Sequence, residues 1–395
     1  MRVLSVTAQK PCSTGSGVYL TEVVRSLAKM GVSQAVVAGV TREDRVDMPE
    51  GVTVYPVYFS SEKLPYPVVG MSDEMPYTST RYRDMTEEMA GQFKAAFLEV
   101  LDEAIEKENP DIILCHHLYY LTALIRAHYP AKKVYGFCHN TDLRQMESIL
   151  FERNFIRQEI PKLDRIFALQ EAQKKNKKIY PVSEKQMTVI GTGYNSEVFK
   201  KTGIKLSRKD GKIRMIFAGK ITQKKGVKSL LRALNLLDYE KEKIQLILAG
   251  GAGNLVEYEE IKELADGCRY PVVFAGCVTQ SRLAELYNDC DIFVLPSMYE
   301  GLPLTVIESL ACGDRVVMTK LEGIAEWLAD MVPDADIRYV LPPGMKGTDE
   351  PLEEELPAFE SRLAEALREA IEEKDTKECD VSRISWQKIA REVIR

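Results

Sequence analysis

Short apolar runs of strand length recur along this chain, each followed by turn residues and then by apolar positions at helical spacing. In the first half these runs are 3–6, 35–38, 111–115, 133–138, 166–169 and 187–190. In the second half they are 215–218, 246–249, 272–275, 292–295, 316–319 and 339–341. Between them lie helical faces such as Leu20, Val23, Val24, Leu27 and Met30, a long helix over about 86–107 and another around 121–128. Strands alternating with helices pack as parallel sheets with both faces covered. Two such series predict an α/β protein of two doubly wound, Rossmann-like domains with a cleft between them. The Gly-, Asn- and Ser-rich stretch 191–199 marks the join, which divides the chain into 1–195 and 196–381, and a last helix spans 382–395.

A chain of 395 residues has material for two full cores. A content of 45% hydrophobic and 28% charged residues is that of a soluble globular enzyme. A net charge of −6 offers no electrostatic footprint for nucleic acid. Runs such as 244–249 fall far short of a bilayer span, and the chain opens on a strand rather than a signal peptide. None of the eight cysteines forms a C-x-x-C, and Cys115, Cys138, Cys277 and Cys312 sit in or beside apolar segments. That pattern predicts reduced core thiols in a cytoplasmic protein, not a disulfide framework or a zinc site. With four histidines, no metal site is indicated. The charge runs 174–178 and 349–355 read as solvated faces.

Two strand-to-helix connections in the second half carry the chemistry. After strand 292–295 comes Glu300-Gly301-Leu302-Pro303-Leu304-Thr305, with Glu308 one turn into the helix. Pro303 suits the first helical turn, where its missing N–H is harmless. The free N–H groups of that helix start suit a phosphate, and two ionised carboxylates suit the hydroxyls of a sugar or ribose. After strand 215–218 comes Gly219-Lys220, then Lys225-Gly226 and an amphipathic helix with Val227, Leu230, Leu231, Leu234 and Leu237. Two ammonium groups converging on one loop neutralise a diphosphate without a metal.

Together these motifs resemble the nucleotide-sugar-dependent retaining glycosyltransferases of family 4, the group 1 type with the GT-B fold, over nearly the whole chain. The resemblance implies that Gly219, Lys220, Lys225 and Gly226 hold the donor pyrophosphate, with Lys220 where the family usually has Arg. It implies that Glu300 lies close to the transferred sugar and Glu308 on the ribose. Gly301, Leu302, Pro303, Leu304 and Thr305 supply the helix start that receives phosphate. It further implies that the terminal helix crosses back onto the N-terminal domain, that the first domain serves the acceptor, and that no cofactor is needed beyond the nucleotide-sugar donor, UDP-, GDP- or ADP-linked.

In the first half, Gly15-Ser16-Gly17 stands between the first strand and its helix, but Leu20 breaks the full dinucleotide pattern. Either the glycines serve a tight turn or, as the resemblance implies, the loop approaches donor phosphates and acceptor. His139 follows strand 133–138 at the carboxyl end, where such folds bind ligands, and the resemblance puts it beside the transferred sugar. His116 and His117 either touch the acceptor or line the crevice. In the polar loop 75–84, Arg81 or Arg83 meets an anionic acceptor or is ordinary solvated surface, and Asp84 with Glu87 suggests a variant capping box. The acceptor itself, a glycan, a lipid-linked sugar or a small metabolite, stays open, as do a peripheral membrane contact and the oligomeric state. Competing readings are a catalytically silent nucleotide-sugar-binding partner in a glycan-assembly complex, for which Lys220 and Arg315 are the departures from pattern, and a nucleotide-sugar epimerase of the same fold.

Overall fold

The computed structural model describes all residues except 12, 74, 175–178, 208, 209, 253, 348, 349 and 374–378. The chain divides into two compact units: Met1–Gly193 with Trp386–Arg395, and Tyr194–Ser385.

The N-terminal unit contains strands β1 (Arg2–Thr7), β2 (Ser33–Val40), β3 (Thr53–Tyr58), the short β4 (Val69–Gly70) and β5 (Thr80–Arg81), then β6 (Ile112–His116), β7 (Val134–Cys138), β8 (Arg165–Ala168) and β9 (Met187–Val189). Its main sheet has the order β3-β2-β1-β6-β7-β8-β9, and the pairs are parallel. β1 is buried along nearly its whole length because helices cover both faces. The helix Gly15–Lys29 lays Leu20 and Val24 against Val36, Ala38 and Val40. The helix Glu87–Glu108 packs Phe93, Phe97 and Leu101, at helical spacing, into the core with Phe59 and Leu64. Its N-cap is Thr86, whose hydroxyl accepts from the Met89 N–H at 3.2 Å. The proposed Asp84–Glu87 box is therefore not formed; Asp84 pairs with Arg81 instead. β3 was not evident from sequence because Pro56 interrupts it. It lies at the sheet edge, where a missing N–H costs no ladder bond.

The C-terminal unit contains β10 (Ile213–Ala218), β11 (Ile244–Ala249), β12 (Val272–Gly276), β13 (Ile292–Leu295), β14 (Arg315–Thr319) and β15 (Ile337–Val340), in the order β12-β11-β10-β13-β14-β15 and again parallel. The helix Leu356–Glu372 buries Phe359, Leu363, Leu367 and Ala370. The Arg315 guanidinium donates to the carbonyls of Ala370, at 2.7 Å, and Glu373, at the end of that helix. Its departure from the family pattern thus has a structural use in satisfying helix-terminal carbonyls.

The final helix is shorter than expected, Trp386–Val393. It is grouped with the N-terminal unit, where Arg165 pairs with Glu392 at 3.0 Å and Trp386 covers Gly193 so closely that a Cβ there would lie 2.4 Å from its backbone N. Cys115, Cys138, Cys290 and Cys312 are buried free thiols, but Cys277 is exposed, contrary to the core assignment, because it lies just beyond the end of edge strand β12. Cys12 lies outside the described residues, as do 175–178 of the basic run and position 349 of the acidic one. Among the described residues no helix is long and apolar enough to cross a membrane.

Candidate functional site

In a doubly wound sheet, ligands bind at the carboxyl ends of the strands where the strand order reverses. In the C-terminal unit that point lies between β10 and β13, the two strands that lead into the Lys and Glu motifs. The chain leaves β10 through Gly219, whose φ of 153° is open to glycine alone. It then makes a short turn capped by the Thr222 hydroxyl, which accepts from the Lys225 N–H at 3.3 Å. Gly226, with φ 73°, starts the helix Val227–Asn235. A Cβ on Gly226 would stand 2.0 Å from the Pro296 carbonyl oxygen, and the Met298 N–H donates to the Lys224 carbonyl at 2.9 Å. The two loops therefore lie backbone against backbone, joined by the Met298–Lys224 bond.

On this frame Lys225 Nζ meets Glu300 Oε1 at 2.7 Å. Lys220 is partly buried on the same loop. Pro303 stands at the N-cap of the helix Leu304–Ala311, one position before the first helical turn, and no side chain caps that end. Leu302 and Pro303 are buried, so only the backbone there can serve a ligand, while Gly301, Leu304 and Thr305 remain partly accessible. Glu308 is 7% exposed on the same helix. Burial, and next the Glu308 carboxylate, hold the Tyr287 phenol protonated well above its ordinary range.

The N-terminal unit reverses its strand order between β1 and β6. Gly15, Ser16 and Gly17 follow β1, but they form the first turn of the helix rather than a loop before it, with the Thr14 hydroxyl accepting from the Gly17 N–H at 3.1 Å. Neither glycine has a positive φ, and both belong to the helix. A Cβ at Gly15 would meet nothing within 4 Å.

β6 and β7 bring His116, His117 and His139 together. His116 Nδ1 lies 3.3 Å from His139 Nε2, and the Tyr19 ring packs edge-on to His139 at 5.2 Å. Asp142, which sequence reasoning passed over, ties the two loops: its carboxylate accepts from the N–H groups of Leu118 at 2.8 Å, His139 at 3.1 Å and Leu143 at 3.0 Å. His117 and Asn140 beside these bonds have φ of 78° and 72°, conformations that non-glycine residues hold only where the surroundings enforce them. The one signal in the sequence was an acid three positions after His139.

Burial, with the His117 imidazole adding, pushes His116 down to about 3. Burial also lowers His117, against the Asp142 carboxylate, and drives His139 well below the ordinary range, helped by His117 and His116. The folded cluster therefore stays neutral at pH values where the unfolded chain takes up protons. Stability rises with pH wherever the unfolded state binds more protons. Folding carries no such penalty above about pH 7 and a growing one below about pH 6.5. For His116 alone the loss at about pH 5 is roughly 2 kcal/mol. Urea midpoints should fall on acidification from about pH 7.5 to 5, and His116→Gln should flatten that slope; a flat wild-type profile would refute the neutral cluster.

Arg81 and Arg83 are exposed and already paired, with Asp84 and Asp73, each at 2.6 Å. The loop thus presents neutralised pairs rather than open cations.

Two family matches together cover most of the chain. The family described as Glycosyl transferases group 1 matches residues 199–378, and the one described as Glycosyltransferase Family 4 matches 13–198. An uncharacterized glycosyltransferase of Methanocaldococcus jannaschii is 33% identical over 117 residues, spanning 30% of each chain, so the chain covers under a third of that relative's length. Among solved structures, sucrose-phosphate synthase from Thermosynechococcus elongatus superposes with a TM-score of 0.69 at 15% identity, covering 100% of this chain and 97% of that one. Anabaena HepE in complex with UDP-glucose gives 0.63 at 15% identity, covering 100% and 98%. Taken together, the two matched segments and the architecture show that this chain belongs to the glycosyl transferases group 1, on the GT-B fold.

Proposed function

We propose that this protein transfers a hexose, with retention of anomeric configuration, from a nucleotide-diphosphate sugar held by the C-terminal unit to an acceptor held by the N-terminal unit. The observation that carries the reading is the joining of the Lys225 and Glu300 loops at the strand-order reversal of the C-terminal sheet. Lys220, Lys225 and the uncapped helix start at Leu304 and Thr305 meet the diphosphate, where negative charge builds as the bond to the sugar breaks. Glu308 takes the ribose hydroxyls and Glu300 the sugar hydroxyls. The acceptor oxygen bonds to the anomeric carbon on the face the diphosphate leaves, and its proton passes to the departing diphosphate oxygen. The neutral imidazole of His139 is suited to a hydrogen bond with a substrate hydroxyl rather than a charge contact. Because HepE was crystallised with UDP-glucose, UDP-glucose is the first donor to try.

A thermal-shift screen of UDP-, GDP- and ADP-sugars tests the donor, since a ligand at a hundredfold its Kd adds about 2.7 kcal/mol. Lys225→Ala should weaken nucleoside diphosphate binding by about 1.5–3 kcal/mol, the worth of a charge-assisted contact. Glu308→Gln should likewise weaken nucleotide binding, whereas Glu300→Gln should reduce turnover without loss of nucleotide affinity. Calorimetry separates them: equal losses for both glutamates would end this division of roles. The paired state of Arg81 and Arg83 leads to a further expectation. Their alanine variants should leave the acceptor Michaelis constant nearly unchanged at low and high salt, and a salt-dependent rise would restore an anionic acceptor at that loop.

A further inference from the structure

The two loops of the C-terminal site are held in two different ways. Their backbones are locked through Gly226 against Pro296 and Met298 against Lys224. Their side chains meet in the Lys225–Glu300 ion pair, 26% and 13% exposed. None of these backbone contacts passes through the ion pair. An ammonium on a flexible stem, carrying three donors, can exchange a carboxylate oxygen for a diphosphate oxygen by side-chain rotation alone.

We propose that Glu300 is the resting counter-ion of Lys225 and that donor binding is an exchange, in which the diphosphate takes the ammonium from Glu300 and the Glu300 carboxylate turns to the transferred sugar. This rests on the reading of Lys225 as a diphosphate ligand. The exchange discriminates between donor and product. A full donor supplies hydroxyls to the Glu300 carboxylate in place of the ammonium, whereas a nucleoside diphosphate supplies none. After transfer Glu300 therefore recaptures Lys225 and favours release of the spent diphosphate. Affinity for nucleoside diphosphate is held below what the lysines alone would provide, and the restraint resides in one carboxylate.

The test is calorimetric titration of UDP, GDP and ADP into wild type, Glu300→Gln, Glu300→Ala, Lys225→Gln and the Lys225→Gln/Glu300→Gln double variant, each checked by circular dichroism. Both Glu300 variants should bind nucleoside diphosphate about twofold to fivefold more tightly than wild type, the scale of a partly exposed ion pair. The tightening should vanish in the Lys225→Gln background. If it persists there undiminished, it reflects general removal of negative charge, and the exchange is wrong. Unchanged or weaker binding by both Glu300 variants also overturns it. Failure of the donor reading looks different: Lys225→Gln would bind as wild type does with Glu300 intact, or none of the three nucleotides would bind the wild type.

Discussion

Gly226→Ala should destabilise the C-terminal unit by about 2–5 kcal/mol and abolish nucleoside diphosphate binding. Two costs act at one carbon. The residue has φ 73°, and a side chain in that left-handed region costs about 1–2 kcal/mol. The new methyl would also stand 2.0 Å from the Pro296 carbonyl oxygen. That is a backbone atom, which cannot swing aside as a side-chain tip can, and forced overpacking adds about 1–3 kcal/mol. Relief would require separating the two loops and breaking the Met298–Lys224 bond, which displaces Lys225 from its place beside Glu300. Urea unfolding and calorimetry with nucleoside diphosphate report the two effects. A variant of near wild-type stability that still binds would mean the loops are not locked in solution.

Asp142→Ala is expected to be a costly change in the N-terminal unit, about 3–5 kcal/mol, the scale of several buried N–H groups left unsatisfied. Its carboxylate is fully buried and accepts three backbone N–H bonds. Its loss strands donors at the ends of both β6 and β7, where each unsatisfied buried group costs about 1–3 kcal/mol. Asp142→Asn keeps one acceptor oxygen and should cost about half as much. The same variants should alter the His139 imidazole resonances, because that backbone N–H is one of the three donors. Wild-type stability in Asp142→Ala would show that water or a neighbour replaces the carboxylate at no cost.

Much of this protein was legible from the chain itself, for reasons of periodicity. Strands buried on both faces must be apolar throughout, so β10, β11, β13 and β14 stand out as unbroken runs. Edge strands carry no such demand, and β3, interrupted by Pro56, was invisible. The Lys and Glu motifs were legible because their chemistry is local: each sits on one strand-to-helix connection, and spacing along the chain predicts spacing on the loop. Asp142 was not, because an acid after a strand is ordinary until the fold places the Leu118 N–H against it from another loop.

The sequence by itself determined the alternation of strand and helix and the identity of the charged groups at the strand ends. Those follow from hydrophobic period and turn chemistry, which act over a few neighbouring residues. Only the tertiary structure decided that Lys225 rests on Glu300, that Gly15–Gly17 opens a helix rather than forming a loop, and that three histidines share one buried cluster held neutral. Each depends on residues brought together from separate strands. Desolvation, ion pairing and backbone contact are set by what lies within a few ångströms in space, and the order of residues along the chain does not specify that distance.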